Sequence, residues 1–353
     1  MIRNGRIALR PRSIRALVVA VAAVLPLTAP AQWTWQESHA PRASFRAIQA
    51  VNRNVVWVAG TGGTCRRTVD GGATWEVITV PDAAKLDFRG LFAFDATNVV
   101  LMSSGEASEG LTRLYRTSDA GQSWKVVFQT GEKGVFLDAI SFWDRSNGLV
   151  AGDQIDGKWY LLKTTDDGET WSRVPPAGLP AMLPGEGAFA AGNTSMAMSG
   201  AEKVWLASGA AERSRIFIST NHAQTWSVFE TPMPGGPTAG IYSLRILDGR
   251  RAIAVGGDYK QDRVASDNVI LSDDGGRTWR KGGRADPPGL KETVIPLLGD
   301  LLLAIGPSGT IQSRDFGSTW QKVDEIRLHA ASCADGACWA VGDRGQIGKW
   351  TGK

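Results

Sequence analysis

One eight-residue phrase recurs six times along this 353-residue chain, and it constrains the fold more than any other feature. The copies are Thr68 to Trp75 (TVDGGATW), Thr117 to Trp124 (TSDAGQSW), Thr164 to Trp171 (TTDDGETW), Ser219 to Trp226 (STNHAQTW), Ser272 to Trp279 (SDDGGRTW) and Ser313 to Trp320 (SRDFGSTW). Their closing tryptophans fall 49, 47, 55, 53 and 41 residues apart, a period that suits a four-stranded blade rather than a helical hairpin. The intervals lack helical periodicity. They hold short apolar, β-rich runs that end at glycine, such as Val55-Val56-Trp57-Val58-Ala59, Ala252-Ile253-Ala254-Val255 and Leu301-Leu302-Leu303-Ala304-Ile305. A single core seldom grows beyond roughly 250–300 residues, but stacked repeats escape that limit, so one repeat domain accounts for the length.

The phrase has a physical reason. Asp70, Asp119, Asp166, Asp274 and Asp315 stand where a short carboxylate accepts hydrogen bonds from its own turn, and the glycine two residues on tolerates positive φ. The closing tryptophan then buries a large ring, with its indole N–H near a turn carbonyl. Six equivalent acids around a ring cannot all serve one site, so they read as fold-holders. The fourth copy has Asn221 for the aspartate and Ala223 for the glycine, and its turn is expected to be the loosest.

Six phrases imply seven blades. After Trp320 the chain runs through Cys338-Trp339-Ala340-Val341-Gly342 to Trp350, repeating the inner strands of a blade but stopping before an outer one. The missing strand lies near Trp33 to Ser38, where Trp35 to Pro41 (WQESHAP) matches Trp75 to Pro81 (WEVITVP) in placing proline six after tryptophan. The expected fold is therefore an all-β, seven-bladed propeller over residues 32–353, closed by its own N-terminal strand, which removes the exposed sheet edges. The eight-residue phrase is the Asp box, the bacterial neuraminidase repeat. Together with Val-Trp-Val-Ala-Gly-Thr-Gly-Gly-Thr (Val56 to Thr64) and the blade count, it resembles the photosystem II assembly and stability factor propellers and their relatives in non-photosynthetic bacteria. That resemblance implies a binding or assembly scaffold; the Asp box alone also occurs in sialidases and sorting receptors, and so specifies blades rather than chemistry.

The first residues read as an export signal: Arg3, Arg6, Arg10, Arg12 and Arg15 precede an uncharged run from Ala16 to Leu27 and then Ala29-Pro30-Ala31. Removing residues 1–31 takes away five cations and no acid, so the formal net charge passes from +4 to −1. The expected location is periplasmic or extracellular. No concentrated basic face remains to suggest nucleic acid. Cys333 and Cys338 bracket an Asp335-Gly336 turn and are expected to form a disulfide across a hairpin; Cys65 stands alone. Three scattered histidines and no second cysteine pair leave no metal-ligand pattern, and no phosphate loop or dinucleotide fingerprint calls for a cofactor. The chain is expected to act as a monomer.

In such propellers the Asp-box hairpins line one face, and the blade-to-blade connections and the hairpins between second and third strands line the other. The second face carries the longer polar segments, at Gly105 to Gly110, Gly152 to Lys158, Gly209 to Ser214, Gly256 to Asn268 and Pro175 to Thr194. Aligning the innermost strands puts Arg46, Arg89, Asp138 and Tyr242 in one register at the channel mouth, with Glu292 and His329 near it. Arg46, Arg89, Asp138, Asp153, Glu186, Tyr242, Asp258 and His329 are the candidate ligand-binding residues, and the arginines favour a protein segment or an acidic ligand. The competing expectation is a sialidase-like glycoside hydrolase using Glu186, Tyr242 and Asp138, with Glu186 hanging over the pit.

Overall fold

The computed structural model describes Met1, residues 32–297 and residues 299–352. The expected leader, residues 1–31, lies outside the described residues, Met1 apart. The described residues form seven four-stranded antiparallel sheets, the seven blades expected from the repeats. Six blades are consecutive in sequence, over residues 45–78, 88–129, 137–173, 196–234, 239–281 and 293–324. The seventh joins residues 328–350 to the strand Trp33–Gln36, which pairs antiparallel with Ile347–Trp350 so that Trp33 faces Trp350 and Gln36 faces Ile347.

Closure ties three blades together. Trp33 is buried, its ring meets Trp350 edge-on at 5.0 Å, and its Nε1 donates to Asp324 Oδ2 of blade 6 at 2.9 Å. On the other side Trp75 Nε1 of blade 1 donates to Gln36 Oε1 at 3.1 Å. Each blade is covered on both flat faces by its neighbours, so the second strands bury side chains in both directions. This is why Val56–Gly60 and Leu302–Ile305 are uninterrupted apolar runs rather than alternating ones.

The Asp-box turns repeat one bonding pattern. Asp70 Oδ1 accepts from Thr68 Oγ1 at 2.7 Å and from the Thr74 amide at 2.9 Å, while its Oδ2 accepts from Thr74 Oγ1 at 2.7 Å. Gly72, at φ +88°, sends its amide to Thr68 Oγ1. The hydrogen bonds from Thr74 and Thr68 hold the Asp70 carboxyl down at about 2. The fourth turn makes the same set: Asn221 Oδ1 accepts from Ser219 Oγ and the Thr225 amide, and its Nδ2 donates to Thr225 Oγ1 at 2.8 Å. An amide can thus replace the carboxylate because the threonine hydroxyl reverses its role. Its hydrogen bonds show no looseness; Ala223 takes the left-handed φ of the glycine it replaces, at +63°.

Two further features differ from a plain reading of the sequence. The segment Gly152 to Lys158 is no loop: strands Gly148–Ile155 and Lys158–Thr164 run on as a hairpin to an Asp156-Gly157 turn in which both residues take positive φ. The indole rule holds for Trp171, Trp226 and Trp279, which donate to turn carbonyls at 3.0–3.1 Å, but Trp124 and Trp320 bury their N–H without a partner. Cys333 and Cys338 stand opposite each other across the Asp335-Gly336 turn, bonded with Cα atoms 4.1 Å apart. Cys65 is buried, and burial pushes its thiol up to about 12, which makes it a small inert core residue.

Candidate functional site

The innermost strands share one irregularity. In blades 1, 2, 3, 5 and 7 the ladder slips by one residue at Arg46, Arg89, Asp138, Tyr242 and His329, each an unpaired bulge residue between two paired neighbours. A bulge re-aims its side chain, and here the five are turned toward the axis. In blades 1 and 5 a glycine on the facing strand is what lets the backbones approach beside the bulge: a Cβ on Gly60 would lie 2.1 Å from the Ser44 carbonyl oxygen, and one on Gly256 1.9 Å from that of Gly240. The glycine of the Val-Trp-Val-Ala-Gly run is therefore a packing requirement of the site as well as a strand end.

The bulges open on a pit of about 780 Å³, lined by Arg46, Arg89, Asp138, Asp153, Glu186, Tyr242, Glu292, Arg327, His329 and Asp343 among others. Of the candidate residues only Asp258 lies elsewhere, in an adjoining cavity of about 180 Å³, where it accepts from Thr238 Oγ1 at 2.7 Å. The connection from Pro175 to Thr194 lies within the mouth rather than over it. Asn193 Nδ2 donates to the Leu91 and Ile140 carbonyls and its Oδ1 accepts the Ile140 amide, tying blades 2 and 3. Beside it Gly192 is so close to Thr293 that a Cβ would lie 2.5 Å from Oγ1. Ala190 and Ala191 line the pit between them. The length of the connection was the signal for this plug; its path across the axis was not readable.

Glu186 is buried beneath the mouth with its carboxylate fully engaged. Oε1 accepts from Ser208 Oγ at 2.6 Å and Arg215 Nε at 2.9 Å; Oε2 accepts from the Leu183 amide at 2.8 Å and from Arg215 Nη2. Tyr242 is stacked face to face with Phe189 at 4.0 Å, with Tyr259 edge-on to Phe189 at 6.4 Å. Burial, with Glu292 and Asp258 nearby, raises the Tyr242 phenol far above its ordinary value, so it stays protonated.

The charges of the pit are unevenly paired. His329 Nδ1 lies 2.7 Å from Glu292 Oε2, and its Nε2 lies 3.0 Å from Asp343 Oδ1. Burial opposes its protonation, but the bonds to Asp343 and Glu292 outweigh burial and raise its pKa. Arg89 Nε donates to Asp87 Oδ2 at 2.7 Å. Among the described residues Arg46 has one polar contact, His329 Nδ1 at 3.3 Å, and its buried Nε has no partner. Asp138 is 1% exposed, and among the described residues neither of its oxygens has a hydrogen-bond partner. Burial, reinforced by Asp153 and opposed by Arg89, pushes its carboxyl well up; burial takes Asp153 to about 6 against the bond from the Ala188 amide.

Among the described residues no group of three His, Cys, Asp or Glu side chains is placed to hold a metal ion, and no helix is long and apolar enough to cross a membrane. No family model and no curated relative matches the chain. Solved structures do. That of YCF48 bound to a D1 peptide is similar over 93% of this chain and 99% of that one, with 17% identity and a TM-score of 0.64. The WD40 β-propeller domain of Doa1 is similar over 91% and 98%, with 13% identity and a TM-score of 0.59. At such identities the likeness is one of fold alone: the chain is a β-propeller.

Proposed function

We propose that this protein is an exported, non-catalytic scaffold that holds a protein segment by an acidic group, such as a chain-terminal carboxylate, in the axial pit. The observation that carries the reading is Arg46, a guanidinium turned into a cavity of about 780 Å³ with no carboxylate bound to it. Arg89 stands in the same register one blade on, so the two forks offer a carboxylate more N–H donors than the pit itself satisfies. The fold likeness to YCF48, in a structure where that protein holds a peptide, supports a segment of protein as the occupant. The glycosidase alternative needs Glu186 free to activate Tyr242; the engaged carboxylate of Glu186 and the protonated phenol of Tyr242 speak against it, and Asp138 by itself does not replace that couple. Export is supported by the arginine-led apolar leader and by the Cys333–Cys338 bond, which suits an oxidising compartment.

The test is binding of short peptides that differ only in a free or amidated C-terminus, read by fluorescence anisotropy. The free acids are expected to bind, with amidation or the double change Arg46→Gln and Arg89→Gln each weakening binding by about tenfold or more. Salt should weaken it as well. Equal affinity for acid and amide, or turnover of aryl glycosides that disappears in Glu186→Gln, would overturn the reading.

A further inference from the structure

The cations of the pit explain why an anion would enter; they do not explain Asp138. A buried carboxyl with neither oxygen hydrogen-bonded is rare in a folded protein and calls for a reason. Packing alone is a poor one, because an apolar side chain of the same size would fill the space without the cost of desolvating an acid. Asp138 is also not isolated. Asp153, on the hairpin of the same blade, lines the pit beside it, with Oδ1 accepting the Ala188 amide at 3.2 Å and Oδ2 left without a donor. The close fit of this acid against the plug is built into the chain: a Cβ on Gly187 would lie 2.0 Å from Asp153 Oδ1. The cation that acts on Asp138, Arg89, is already held by Asp87.

Two carboxyls therefore share one side of a pit, and among the described residues no cation forms an ion pair with either. Next to them, on the same connection as Ala188, Phe189 begins the aromatic wall completed by Tyr242 and Tyr259. A compact cation on a long apolar stem fits this arrangement. A lysine can lay its methylenes on the wall and bring three N–H donors to the acids. A guanidinium is a broad planar fork and suits a site as enclosed as Asp138 less well.

We infer that Asp138 and Asp153 form a lysine subsite, in which the ammonium of the bound segment donates to both carboxyls while the segment's acidic group is held by Arg46 and Arg89. This rests on the pit being the binding site proposed above, and it changes the ligand from simply acidic to one of mixed charge. Burial raises the pKa of both acids, and an ammonium placed beside them would favour their charged forms.

The experiment titrates the purified protein with Nα-acetyl-lysine methylamide and, separately, with Nα-acetyl-norleucine methylamide, reading amide shifts by two-dimensional NMR. The lysine probe is expected to shift the amides of Asp138, Asp153 and Ala188 in a saturable way and to bind about tenfold or more tightly than the norleucine probe. Asp138→Asn and Asp153→Asn should each remove most of that preference. If Asp138→Asn fails to fold, the less buried Asp153→Asn carries the test. Equal binding of the two probes, or an unchanged preference in Asp153→Asn, overturns the subsite. The carboxylate reading is judged separately, because the arginine double variant loses acid-terminated peptides whether or not the lysine probe binds.

Discussion

The two faces of the propeller use aspartates in opposite ways. On the Asp-box face, Asp70 and its equivalents Asp119, Asp166, Asp274 and Asp315 stand in water with oxygens satisfied by hydroxyls and amides of their own eight-residue turn. On the pit face, Asp138 is buried and its oxygens are bare, and its neighbours come from its own blade's hairpin, from other blades and from the plug. The first kind of residue is satisfied locally, repeats, and holds the fold. The second is unlike its counterparts in the other blades, since Arg46, Arg89, Tyr242 and His329 occupy the same bulge. In a repeat protein the repeated residue belongs to the architecture, and the residue that varies at a fixed position is where a site is built.

The largest effect should come from the seam that both faces depend on. Deleting residues 32–40 uncovers a sheet edge and removes the buried Trp33, and the protein is expected to lose cooperative folding. The milder Trp33→Ala should cost about 3–5 kcal/mol, measured by chemical denaturation. An unchanged midpoint for the deletion would mean that the ring is not closed by this strand.

The next prediction sets the two kinds of aspartate against each other by pH. The Asp-box carboxyls have lowered pKa values, with Asp70 at about 2, so their contribution is present above the unfolded value and fades as pH falls through about 2. Asp70→Ala should therefore cost stability at neutral pH, about 1 kcal/mol once screening by solvent is allowed for, and the deficit should shrink under acid. The pit acids are raised, so their contribution is full below the unfolded value and is lost as pH rises; for Asp153 the window runs up to about 6. Asp153→Asn should raise the melting temperature at pH 7 relative to wild type and leave it unchanged near pH 4. Parallel profiles for the two variants would erase the distinction between the faces.

The smallest effect is expected at the fourth turn. Ala223→Gly relieves a left-handed alanine, worth about 1 kcal/mol, but removes a buried methyl worth about 0.8 kcal/mol. The net change should stay within about 0.5 kcal/mol. A large gain would show that the substituted turn is under real strain.

Much of this protein was determined by its sequence alone, because the governing interactions span few residues. The Asp-box bonds reach from Thr68 to Thr74, the apolar runs mark strands buried on both faces, and the count of phrases with the unmatched ends at Trp33 and Trp350 implies seven closed blades. The register of Arg46, Arg89, Asp138 and Tyr242 was legible for the same reason. What only the tertiary structure decided is the pairing across blades: that Glu186 is neutralised by Arg215, that Asp258 lies outside the pit, that Asn193 carries the long connection across the axis, and that Asp138 is left without a partner. A charge's partner depends on which distant segments converge, and no local pattern encodes that convergence.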